Sequence, residues 1–196
     1  MEGLQRDHVA HPHPSAPTRL HYTRALFMQM DSLGLFGDDR VELIEGDIYV
    51  MAPMGEDHAV PIENLNKLLV RQLPDKFSLR CQLPFAAEDD SQPQPDFTIR
   101  PAKRKKPTET PTDALLVIEI ADSSLQFDLK RKSAVYARAS VPEYWVLDVK
   151  KRVLVVHRTP TRSGYRSVKR VTELSAMESS AVAGLLLDLR HVFVGR

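Results

Sequence analysis

A chain of 196 residues is long enough to bury a sizeable core and is most simply one domain. Its 42% hydrophobic and 27% charged residues are ordinary for a globular protein, and a formal net charge of +1 excludes the overall basic signature of many nucleic-acid binders. Cys81, the single cysteine, excludes an intramolecular disulfide and fits a reducing compartment.

The chain starts without the apolar core of a signal peptide, and no apolar run approaches membrane-spanning length, so a soluble, cytoplasmic protein is expected. Residues 1–19, rich in His and Pro, read as a disordered or loosely attached arm, and residues 20–196 as the single domain. His8, His11 and His13 are metal-ligand types, but a polar tail has nothing to hold them in place. Thr23 reads as the N-cap of a helix carrying Ala25, Leu26, Met28, Met30 and Leu33, closed by Gly34. From Val41 to Ala52, two short apolar runs flank Glu45-Gly46-Asp47, a hairpin with glycine at its turn, and Pro53 stops the second strand.

His58 to Leu73 carries Ile62, Leu65, Leu68, Leu69 and Leu73 on one stripe, which predicts a helix with Pro61 in its first turn and Pro74 beyond its end. Strands are predicted at Ser78–Ala86 and Asp96–Ile99, separated by the polar turn Glu88–Ser91. An exposed, proline-rich loop over 101–112 leads to a strand at Ala114–Ile120 and a helix at Leu125–Ala139, opened by a capping box of Ser123 with Gln126. Val141–Asp148, Val153–Arg158 and Tyr165–Val171 complete the strands, and Leu185–Leu187 is expected to pack at the sheet edge. Charge is uneven along this order: residues 38–63 are acidic, whereas Arg100–Lys106 and Lys150–Arg170 are basic, so a fold can present an acidic pocket with a basic rim.

The chemistry centres on Glu119, a carboxylate within the apolar run around Val117, Ile118 and Ile120. Burying it ionised is costly without a partner, and either an ion pair or a divalent cation can supply one. Strand alternation puts Leu115, Val117 and Glu119 on one face, and Asp96, Thr98 and Arg100 on one face of the preceding strand. If those strands are neighbours, Asp96 and Glu119 converge, and two close carboxylates repel unless a cation or shared proton lies between them. Such hard oxygen ligands suit Mg²⁺ or Mn²⁺ better than zinc. Asp128 and Lys132 lie one helical turn apart, with Tyr136 next along; read alone they are an ordinary surface ion pair.

In order, Val41-Glu42 through Pro53 with His58, Gln94-Pro95-Asp96, Leu116–Leu125, Asp128–Lys132, Tyr136–Arg138 and Val141–Asp148 form a specific series. The sequence resembles the PD-(D/E)XK nuclease superfamily, and closely its large bacterial group of restriction-type endonucleases, formerly a domain of unknown function. The resemblance implies an α/β fold with a restriction-endonuclease-like core: a central mixed β-sheet flanked by helices, with an N-terminal helix and β-hairpin. It also implies Mg-dependent hydrolysis of DNA phosphodiesters, Mn being a possible substitute, with Asp96 and Glu119 as metal ligands and Lys132 as the catalytic lysine. The superfamily's usual lysine position, two residues after the second acid, holds Ala121 here; Lys132 matches the position that the resembling group uses on the next helix.

Glu42 and His58 match recurrent residues of that group. Glu42 is read either as a further catalytic carboxylate or as a solvated strand residue, and His58 either as a phosphate or water contact or as a helix cap. Asp47, by contrast, is expected to pair across the hairpin. Tyr144 and Trp145 either stack on bases or belong to the core. Lys103, Arg104, Lys105 and Lys106 either follow duplex phosphates or form a solvated loop. Related nucleases often cut both strands as homodimers, so a homodimer on double-stranded DNA is expected. The rivals are a catalytically silent DNA-binding or regulatory protein of the same fold, a hydrolase or transferase acting on a phosphorylated small molecule, and a purely structural ion-pair cluster.

Overall fold

The computed structural model describes residues 18–53, 55–102 and 110–193. Helix α1 (Arg24–Ser32) is capped by Thr23, whose hydroxyl accepts from Leu26 N at 3.3 Å. The helix buries Phe27, which the predicted stripe omitted, while Leu26, Met28 and Leu33 are exposed. Phe27 packs on Phe36 and on Val41 and Leu43 of the following hairpin, so α1 is held by one aromatic anchor.

That hairpin is β1 (Val41–Ile44) and β2 (Asp47–Val50), in the register Ile44↔Asp47. Glu45 at φ 52° and Gly46 at φ 76° supply the two left-handed residues that a tight two-residue turn needs. The Asp47 carboxylate pairs with Arg19 at 2.6 Å and not across the hairpin, because an aliphatic side chain stands opposite it. Helix α2 (Glu56–Gln72) starts earlier than expected: the carbonyl of its cap residue Gly55 accepts from both His58 N and Ala59 N at 3.0 Å. Pro61 therefore lies inside the helix, beyond its first turn, and His58 is a helical residue rather than the cap.

Six strands form the central sheet in sequence order: β3 (Phe77–Cys81), β4 (Phe97–Pro101), β5 (Leu116–Ala121), β6 (Glu143–Asp148), β7 (Val153–Thr161) and β8 (Gly164–Val171). Neighbours are antiparallel except β5 and β6, which the intervening helical crossover makes parallel. The predicted strand from Ser78 is cut short at Cys81, where Gln82 takes φ 50°. The following segment is irregular and bridges back to β1 at Leu43↔Gln92.

Within the crossover, α3 (Leu125–Phe127) runs through a π-helical stretch, Asp128–Lys132, into α4 (Ser133–Arg138). The predicted helix has the right extent but not the right winding. Nor is its capping box made: Ser124 holds the cap position, and its hydroxyl donates to Asp128 Oδ2 at 2.6 Å.

Alternation along β5 sends Leu116, Ile118 and Ile120 to the α2 side and Val117 and Ala121 to the α4 side. α2 supplies Ile62, Leu65 and Leu69 to the first core. The C-terminal segment covers the rest of that face: β9 (Met177–Glu178) pairs with β10 (Leu186–Leu187), and Val182, Leu185, Leu187 and Leu189 are buried against Leu154 and Val156. Leu185–Leu187 thus lies over the sheet face and not at its edge, since Trp145, Leu147 and Leu154 would otherwise be left in water. Among the described residues, no helix is long and apolar enough to cross a membrane.

Candidate active site

Because β4 and β5 are antiparallel, β4 begins where β5 ends, and the register Phe97↔Ile118 carries Asp96 to a place opposite Glu119. Each acid accepts from a backbone N–H on the other's side of the β4–β5 pair. Asp96 N donates to Glu119 Oε2 at 3.3 Å, and Ile120 N donates to Asp96 Oδ2 at 2.8 Å. Gln82 Nε2 donates to Asp96 Oδ1 at 3.4 Å, and His58 Nε2 lies 3.7 Å from Asp96 Oδ2, an electrostatic contact beyond hydrogen-bond length.

From the π-helical stretch Lys132 enters on the α4 side, and both it and Glu42 are buried. Its ammonium donates to Glu119 Oε1 at 3.1 Å and to Glu42 Oε1 at 3.2 Å. Glu42 Oε2 is nearer still, at 3.0 Å, but is not aligned for a hydrogen bond and keeps only the charge contact. Asp128 Oδ1 is 3.9 Å away, and Tyr136 OH donates to Glu119 Oε1 at 2.7 Å. The hairpin therefore delivers Glu42 into the site, not onto a solvated strand face.

Four buried carboxylates, Glu42, Asp96, Glu119 and Asp128, thus surround one buried lysine. Their protonation diverges. Burial pushes Asp96 up, but His58 and the Ile120 N–H outweigh it and hold the carboxyl below its ordinary value. Glu119 is pushed up to about 8 by burial and by Asp96, Asp128 and Glu42, against the pull of Lys132. Asp128 is pushed up to about 6, again chiefly by burial. Burial alone would lower Lys132, yet Glu119, Glu42 and Asp128 hold it above its ordinary value, so it stays a cation.

The acids open onto a cleft of ≈ 130 Å³ of water-accessible space lined by Arg40, His58, Asp96, Glu119, Asp122 and Lys132, among others. A hard divalent cation fits the excess of negative charge here and the all-oxygen character of Asp96 and Glu119. Among the described residues, no three His, Cys, Asp or Glu side chains form a cage of their own. A cation at Asp96 and Glu119 would complete its shell with water and phosphate, the habit of Mg²⁺.

Asp96, Glu119, Lys132, Glu42 and His58 are all brought together. Tyr144 and Trp145 are not available to bases: both are fully buried, with Tyr144 OH on Asp128 O at 3.1 Å and Trp145 Nε1 on Glu143 Oε1 at 2.9 Å. Lys103, Arg104, Lys105 and Lys106 lie outside the described residues. Arg40, on the cleft wall with Nη2 donating to Gln94 O at 3.2 Å, escaped sequence reasoning, because a lone basic residue in an acidic segment carries no pattern.

A family model described as "Uma2: Putative restriction endonuclease" matches residues 25–190. Among solved structures, a crystal structure from Anabaena variabilis ATCC 29413, described as a putative nuclease belonging to DUF820, superposes with a TM-score of 0.68. At 17% identity over 88% of this chain and 97% of that one, it shows a shared fold. No curated protein matches the chain.

Proposed function

The chain belongs to the Uma2 family, described as a putative restriction endonuclease, and from that premise we propose that it hydrolyses phosphodiester bonds in DNA with Mg²⁺, or Mn²⁺ in its place. The observation that carries this reading is the surplus of buried carboxylate around Lys132 at the floor of an open cleft. A structural ion pair needs one acid per base, and this cluster has more.

Asp96 and Glu119 would hold the metal, which when bound lowers the pKa of a water and polarises the phosphate. Lys132 is the electrostatic partner of the reaction. Paired with Glu119 and Glu42 and held above its ordinary value by them and by Asp128, it can donate to oxygens on which charge develops. Glu42 fixes the lysine from the β1 side and Tyr136 fixes the Glu119 rotamer, so both act by positioning. His58, half-buried beside Asp96, is placed to touch an incoming phosphate or water. Double-stranded DNA, a homodimer cutting both strands, a cytoplasmic setting and residues 20–196 acting as one domain belong to the same proposal.

The test is cleavage of supercoiled plasmid by the wild type, Glu119→Ala and Lys132→Ala with Mg²⁺ or Mn²⁺. Nicking or linearisation that disappears in both folded variants is the expected result. Metal that raises the melting temperature of the wild type while plasmid binds uncut would instead establish the catalytically silent DNA-binding protein.

A further inference from the structure

The sheet places a second charged feature at the same end as the acids. β5 ends there and β6, parallel to it, ends there too; the turn after β6 therefore emerges beside the cleft, as do the start of β7 and the finish of β8. The juxtaposition is direct: Lys150 in that turn meets Asp122 on the cleft wall at 2.8 Å. Between Val149 and Thr172 the sequence has no Asp or Glu. Lys151, Arg152, Lys169 and Arg170 are exposed there, and among the described residues none has an acidic side chain within ion-pair distance.

The ridge also has a direction. Glu119, Val146, Val155 and Arg170 are successive register partners on one face of the sheet. Val146 and Val155 are buried beneath α4, so Glu119 and Arg170 stand at the two ends of a covered row, while Lys169, paired with Val156, faces the other side. Strand spacing sets Arg170 about 14 Å across the sheet from Glu119, a span of about four steps of a duplex at about 3.4 Å each. Buried acids repel a polyanion, and cations beside them offset that repulsion and fix the approach.

We propose that Lys151, Arg152 and Arg170 form a docking ridge for the backbone of duplex DNA, leading it from the β8 edge round the end of the sheet to the cleft. The inference rests on the nuclease reading and extends it by naming a surface apart from the acids and from Lys103–Lys106. Contacts of this kind position the duplex and carry no sequence information.

The experiment is fluorescence anisotropy of a short labelled DNA duplex against salt, without divalent metal so that nothing is cut. It compares the wild type with a threefold variant, Lys151→Gln, Arg152→Asn and Arg170→Gln. Asn is chosen at 152 because the backbone there has φ 51°. If each residue neutralises one phosphate, the slope of log K against log salt becomes shallower by about 3. The melting temperature should be unchanged, and the pair Lys151→Gln with Arg170→Gln, should the threefold variant fail to fold, should lose about two thirds as much slope. Arg162→Gln with Arg166→Gln, nearer the other end of the β7–β8 hairpin, should lose little.

A wild-type slope retained by the folded variants overturns the ridge and leaves the nuclease reading standing. Absence of duplex binding by the wild type at every salt concentration also overturns the ridge, and the plasmid assay with Mg²⁺ then decides the nuclease reading separately. Binding to phosphatidylserine vesicles, lost in the variants, with no binding to duplex would make the ridge a membrane surface and also overturn the proposal.

Discussion

Lys132 is the residue on which the site balances, since among the described residues its ammonium is the only buried cation touching Glu42 and Glu119 together. Lys132→Met should therefore cost roughly 3–5 kcal/mol, the usual penalty for leaving a buried charge without its partner. Urea denaturation at neutral pH measures it, and adding Glu42→Gln to Lys132→Met should restore part of the loss, because one uncompensated acid is removed. A purely additive double variant would mean that Glu42 does not sense Lys132. At this scale the sequence spoke clearly for Asp96 and Glu119, because an acid in an apolar run demands a partner. It spoke less clearly for Asp128: its one-turn spacing from Lys132 looks like any surface pair, and only the Ser124 hydrogen bond and its burial tell the two cases apart. Tyr136 was visible as a neighbour on the helix but not as a donor to Glu119.

Among the elements, the hairpin places Glu42 and so deserves the test of its turn. Gly46 has φ 76°, its N–H donates to Asp90 O at 2.9 Å, its carbonyl accepts from Tyr22 N at 2.9 Å, and an added Cβ would collide with the His21 side chain. Gly46→Ala should lose roughly 1–3 kcal/mol from strain and crowding together. Gly34→Ala, with φ 72° but open space around it, should lose less, about 1 kcal/mol from strain alone. Thermal melting of both variants decides the order, and equal losses would remove the His21 contact from the explanation. The hairpin was legible because its turn chemistry is local. The π-helical stretch was not, because no residue in Asp128–Lys132 departs from an ordinary helical pattern; the winding answers to tertiary partners, Lys132 to Glu42 and Tyr144 OH to Asp128 O. The same reason explains the C-terminal segment. Its leucines fix that it packs, with Leu185 and Leu187 buried and Leu186 exposed, but which face it covers depends on how much of the sheet α2 leaves bare.

Across the whole molecule, two buried glutamates act on stability in opposite senses with pH. Glu143 in β6 accepts from Trp145 Nε1 and Arg158 Nη2 with Oε1, and from Ser179, Ser180 and Ala181 N with Oε2, so it ties the C-terminal segment to the sheet. Burial pushes it up, but these donors prevail and hold it below 4.5. A depressed folded value means stability that is present above 4.5 and lost as pH falls through the folded value. At neutral pH Glu143→Gln should therefore cost roughly 1.5–3 kcal/mol, the range for hydrogen bonds to a charged group, and the gap should close in acid. Glu119 has the reverse sign. Its folded value, about 8, stands above its ordinary 4.5, so its contribution is full below 4.5 and is lost as pH rises through about 8. Chelated protein should accordingly weaken between those limits, and Glu119→Gln should flatten the fall. Added Mg²⁺ should oppose the fall in the wild type, because a cation favours the ionised carboxylate, and should do less in Glu119→Gln. Denaturation of the three proteins across pH, with and without Mg²⁺, separates the terms. A Mg²⁺ effect of equal size in Glu119→Gln would move the cation away from this pair of acids, whatever the plasmid assay reports.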